Sequence, residues 1–90
     1  MMETTALSVK DAEVFLAKFE RHYKAPVEPI CAIGVSEDGK LHGAAILGRN
    51  AEGDGELCHI YVDGVSQGYS LLYGAVWRTL KALGYKRAIL

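Results

Sequence analysis

Ala12, Phe15, Leu16, Phe19 and Tyr23 recur at the spacing of one helical face, leaving Lys10, Glu13, Glu20 and Arg21 on the other. The pattern predicts an amphipathic helix of about four turns. Ser8, three residues before Asp11, supplies a side-chain oxygen for an orphan amide at its start. Lys24-Ala25-Pro26, with Pro29 close behind, ends it, because proline disfavours helical geometry in the residue before it. Ahead of the helix, Thr4 to Leu7 reads as a short strand.

The periodicity then changes. Ile30 to Val35 is a near-continuous apolar run, as expected of a strand covered on both faces. Glu37-Asp38-Gly39-Lys40 follows, with an Asp-Gly centre suited to the positive φ angles of a tight hairpin. Leu41 to Leu47 returns as the partner strand, and its Gly43, Ala44 and Ala45 allow close approach of a helix or ligand. After the polar stretch Asn50 to Gly55, Glu56 to Asp63 alternates. Cys58, Ile60 and Val62 fall on one face and Leu57, His59 and Tyr61 on the other, predicting a third strand antiparallel to the second.

Gly64 to Gly68 is a glycine-bearing turn. Leu72, Ala75, Val76, Thr79, Leu80 and Leu83 then mark a second helix, stopped by Gly84, with Lys81 favourably placed in its last turn. Tyr85 to Leu90 reads as a final strand, which the helix crosses over to set parallel to the third. The expected fold is α/β (α+β): helix, three-strand antiparallel meander, helix, parallel strand, in a single domain over residues 1–90.

Composition narrows the function. Half the residues are hydrophobic, ample for a core. Ten basic residues nearly balance eleven acidic ones, so no global charge draws the chain to nucleic acid or anionic membrane. No apolar stretch approaches the length of a membrane helix and no basic-then-apolar leader opens the chain, so a cytoplasmic location is expected. Cys31 and Cys58 lie in strands without close metal-ligand spacing and read as buried free thiols, with a disulfide or a metal role as the alternatives. His22, His42 and His59 show no metal spacing either, and no metal is assigned.

Particular words of the sequence carry a resemblance. Ala32-Ile33-Gly34-Val35, Asp38-Gly39-Lys40-Leu41 and Gly43-Ala44-Ala45-Ile46-Leu47-Gly48-Arg49 are followed by Glu56, Asp63-Gly64, Leu72-Tyr73-Gly74-Ala75, Trp77-Arg78 and Ala82-Leu83-Gly84-Tyr85-Lys86-Arg87. In this order they resemble a GNAT-like family of bacteria and phages, within the GNAT N-acetyltransferase superfamily. The resemblance runs from Ser8 onward and covers the front and centre of the GNAT fold. Where GNAT enzymes carry Arg/Gln-x-x-Gly-x-Gly/Ala, this chain reads Val65-Ser66-Gln67-Gly68-Tyr69-Ser70. The first position is valine, the glycine is kept and the last small position is serine. Complete GNAT domains continue with another helix and two more strands, which build much of the acceptor site.

The resemblance implies a site for acetyl-CoA. Backbone amides of Gln67, Gly68, Tyr69 and Ser70 at a helix N-terminus would hold the pyrophosphate, and main-chain groups of Ile60, Tyr61 and Val62 the pantetheine arm. Glu56 is the candidate general base for an amine acceptor, or else a solvated strand-end glutamate. His59 and Tyr61 either line an acceptor pocket or are half-buried sheet residues. Tyr69, Tyr73 and Trp77 form an i, i+4, i+8 stripe of the kind helix packing produces more often than cofactor stacking. Arg78, Lys81, Lys86 and Arg87 form a modest basic cluster, read as a solvated face. Two functions follow: an acyl-CoA-dependent N-acyltransferase acting on an unidentified amine, or a remnant of one, and a non-catalytic homodimeric module whose partner completes the sheet.

Overall fold

The structure is a computed structural model that describes residues 2–20, 22–26, 28–64 and 66–90. Its elements are β1 (Met2–Leu7), α1 (Val9–Phe19), β2 (Pro29–Glu37), β3 (Lys40–Arg49), β4 (Gly55–Val62), α2 (Ser66–Ala82) and β5 (Ala88–Ile89). One five-stranded sheet runs β1-β2-β3-β4-β5. The first four strands pair antiparallel, and β5 pairs parallel to β4 after the crossover through α2. The expected fold class is the observed one.

Local chemistry explains the boundaries. Ser8 Oγ accepts from the Asp11 amide at 3.0 Å, so the serine is the N-cap of α1. The helix stops at Phe19, a turn before Tyr23, with Glu20 extended as its C-cap. Tyr23 is used differently: its hydroxyl donates to Glu13 at 3.1 Å and its ring meets His59. Asp38 and Gly39 both take positive φ, 53° and 79°, as a type I′ hairpin turn requires. The first strand is longer than expected, pairing over its whole length with β2.

Two apolar layers flank the sheet. On one side, Leu72, Ala75, Val76 and Leu80 of α2 pack on Ile33, Val35, Ala45, Leu47 and Val62. On the other, Ala12, Phe15 and Leu16 of α1 pack on Ala32, Ala44 and Ile46. Leu83, expected in the α2 stripe, is exposed just past the end of that helix.

The alternation predicted for the third strand is broken. Ile46 pairs with His59 but Leu47 pairs with Leu57, so Cys58 is an extra residue, a β-bulge. Leu57 therefore joins Ile60 and Val62 against the α2 layer. Cys58 turns with His59 to the α1 side, where a Cβ on Gly48 would stand 2.8 Å from Cys58 Sγ. One inserted residue moves two side chains across the sheet.

Candidate active site

The bulge lies where β4 loses its second neighbour. β5 pairs only at Gly55 and Glu56, and the Gly55 amide donates to the Arg87 carbonyl at 3.2 Å. From Leu57 onward, no strand among the described residues covers that edge. The Asp63 amide donates to the His42 carbonyl at 2.8 Å, which fixes the antiparallel phase. By the alternation of the ladder, Tyr61 directs its main chain to β3, while Ile60 and Val62 direct theirs to the uncovered edge.

The N-terminus of α2 abuts the end of this edge. Val65, at the first position of the GNAT-type signature, lies outside the described residues. Gln67 and Gly68 fall in the first helical turn, where amides lack intrahelical acceptors, and no acidic side chain occupies that turn. Gly68 is buried, and a Cβ there would come 2.5 Å from Val62 Cγ1. The glycine is what lets the helix start this close to β4. Tyr69 and Ser70 follow, both exposed.

On the α1 side of the bulge opens a cleft of about 1090 Å³, bounded by Lys24, Glu28, Arg49, Asn50, Glu56 and His59 among others. Asn50 Oδ1 shapes its rim by accepting from the amides of Glu52 and Asp54 at 3.0 and 2.9 Å. The opposite wall, the segment after α1, is clipped to β4 by His59. Its Nε2 donates to the Lys24 carbonyl at 2.8 Å, since a carbonyl only accepts, and its Nδ1 lies 3.4 Å from Glu20 Oε2. Glu56 is half-buried in the cleft and makes no ion pair with any described residue. Arg49 Nε stands 3.6 Å from Glu28 Oε2, both more than half exposed. Tyr61 lies away from the cleft, stacked on Phe19 at 4.6 Å.

The structure thus brings Glu56 and His59 to one cleft, and Ile60, Val62, Gln67 and Gly68 to one edge. Sequence reasoning missed Lys24, Glu28 and Asn50. No periodicity marks them, because two loops distant in the chain meet only in the folded sheet. It also missed His42 and Asp63, whose Nδ1 and Oδ1 are 2.9 Å apart beside the last β3–β4 pair. Tyr69, Tyr73 and Trp77 are 37 to 46% exposed and belong to neither apolar layer. Lys81 Nζ sits 5.7 Å from the Trp77 ring centroid. Burial pushes the thiols of Cys31 and Cys58 up, with the Glu56 charge adding to the effect at Cys58, and both cysteines are free. Among the described residues no group of His, Cys, Asp and Glu is arranged to hold a metal ion. No helix is long and apolar enough to cross a membrane.

In sequence, the chain matches no protein-family profile and no curated protein. In structure, it is similar to the crystal structure of a ribosomal-protein-alanine N-acetyltransferase from Brucella melitensis biovar Abortus 2308. The TM-score is 0.69 at 20% identity, over all of this chain and 79% of that one. The fold is GNAT-like. In a GNAT-like frame the uncovered β4 edge, the bulge and the start of α2 form one continuous feature, with the Glu56 cleft on the opposite side of the sheet from α2.

Proposed function

We propose that the protein is a cytoplasmic acyl-CoA-dependent N-acyltransferase that moves an acetyl group to a primary amine. The observation that carries this reading is the coincidence, at one bulge, of an uncovered strand edge leading to a helix N-terminus and a cleft containing Glu56. The named neighbour of the same fold acetylates an amine, which agrees with it.

The residues fit the coenzyme. Main-chain groups on β4 at Ile60 and Val62, with Tyr61 between them, would hold the pantetheine arm. Amides of the α2 start at Gln67 and Gly68, followed by Tyr69 and Ser70, would hold the pyrophosphate. Acetyl-CoA supplies, when bound, an acyl carbon activated by a thiolate leaving group. Glu56 takes a proton from the ammonium form of the acceptor. The freed nitrogen bonds to the acyl carbon as the carbon–sulfur bond breaks, and a second nitrogen proton ends on the thiolate. The chain's further contribution is positioning of the amine against the strand edge.

Acetyl-CoA titration followed by thermal melting tests the reading. A ligand specific for the native state raises the melting temperature, and no shift at millimolar concentration defeats it. Glu56→Gln is expected to lower kcat by about 10²- to 10⁴-fold while leaving that shift in place.

A second reading rests on the outward aromatic stripe of α2 and the uncovered β4 edge: a homodimeric, non-catalytic module. A monomeric mass by light scattering at high protein concentration excludes it.

A further inference from the structure

One wall of the Glu56 cleft has little to hold it in place. Residues 22–26, between α1 and β2, belong to no helix or strand and none of them is buried, yet Lys24, Ala25 and Pro26 line the cleft. Tyr23 ties the segment back to α1 through Glu13, and beyond it the Arg49 amide donates to the Glu28 carbonyl at 3.0 Å, tying the far end to β3. The strand that carries Glu56 is β4. Among the described residues, the segment's ties to β4 both end on His59: the hydrogen bond from Nε2 to the Lys24 carbonyl, and the ring of Tyr23 at 4.7 Å. His59 pairs with Ile46, whose side chain lies in the α1 layer, so the imidazole rises on the side where this segment passes. Its Nδ1, 3.4 Å from Glu20 Oε2 at the C-cap of α1, sets the rotation of the ring. Both nitrogens are turned to protein oxygens, and the ring has none left to offer an acceptor.

We propose that His59 is a positioning residue for the acceptor amine: it holds the Lys24–Pro26 wall at a fixed place relative to Glu56 without touching the amine itself. The inference rests on the N-acyltransferase reading and deepens it. Loss of one such hydrogen bond shifts a local opening equilibrium by several-fold to about tenfold. In a segment with no buried residue, the open form lies close enough in free energy for that shift to lower the closed fraction. An acceptor that binds against the closed wall then binds more weakly in proportion, while saturating acceptor closes the wall again. The effect falls on KM and spares kcat, the opposite of what Glu56→Gln does.

Two substitutions separate the hydrogen bond from the ring. His59→Phe keeps a ring against Tyr23 and loses the donor. His59→Gln loses the ring and keeps an N–H near the place of Nε2. Each is read in two ways: the rate of trypsin cleavage after Lys24 in the native protein, and coenzyme A thiol release with a free amino acid, an amino alcohol, a polyamine and a peptide with a free N-terminus. His59→Phe is expected to speed the cleavage about three- to tenfold and to raise acceptor KM about threefold or more, with kcat and the acetyl-CoA melting shift held. His59→Gln is expected to stay within about twofold of the native protein in both. Unchanged cleavage in His59→Phe overturns the inference, as does faster cleavage with unchanged KM. A KM raised alike by both substitutions also overturns it, because the ring itself then touches the acceptor. Each of these leaves the acyltransferase reading standing. Faster cleavage in a protein that acetylates none of the amines does the reverse: His59 holds the wall, and acyl transfer falls.

Discussion

The two faces of the sheet are built on different principles. The α2 face is aliphatic and deep, with Leu72, Val76 and Leu80 fully buried against β2, β3 and β4. The α1 face is a shorter helix with a smaller apolar cluster, supplemented by polar and aromatic clips: Ser8 to Asp11, Tyr23 to Glu13, His59 to Lys24, and Phe19 on Tyr61. One face is held by burial and the other largely by placed contacts. The cleft belongs to the second. A polar site is easier to build where walls are pinned by hydrogen bonds than where they must stay dry.

The largest expected effect lies on the aliphatic face. Leu72→Ala should cost about 2–5 kcal/mol of unfolding free energy in urea titration, because a closed layer cannot collapse around the cavity. Gly68→Ala should cost roughly 1–3 kcal/mol, since its new methyl meets Val62 at 2.5 Å, and should also weaken the acetyl-CoA melting shift. On the clipped face, Ser8→Ala should cost about 1 kcal/mol, read as a lower urea midpoint with unchanged slope. A loss there as large as at Leu72 would erase the distinction between the faces.

The smallest effect is one of pH. Burial, with the Glu13 carboxylate adding to it, pushes the Tyr23 hydroxyl from 10.0 up to about 12. A raised folded value means the contribution is complete below pH 10 and is lost as pH rises through about 12. The stability advantage of the native protein over Tyr23→Phe should therefore be flat to pH 10 and shrink above it. An advantage that grows with alkalinity contradicts the clip.

Much of this architecture was legible in the chain itself. The α2 stripe, the Ser8 cap and the Asp38-Gly39 turn are local, so their chemistry acts within a few residues. The failures share one cause, which is dependence on distant partners. Tyr23 continues the α1 spacing yet leaves the helix to meet Glu13 and His59. Cys58 fits a period of two until β3 imposes the bulge. Glu56 was visible as a carboxylate at a strand start, whereas Lys24 and Glu28 join it only through the β2–β3–β4 pairing.

The strand order of the sheet is also the order of the strands in the chain. Each strand's partner is the one made just before it; the β2–β3 and β3–β4 hairpins close over short stretches at low entropic cost, while β1–β2 and β4–β5 each close over a helix. During synthesis, each emerging strand meets an edge already available to it. The hairpin at Asp38-Gly39 needs nothing downstream, and β5, two residues wide, is the last rung added. The outer edge of β4 is thus capped late, and only at Gly55 and Glu56, after the rest of the sheet has set.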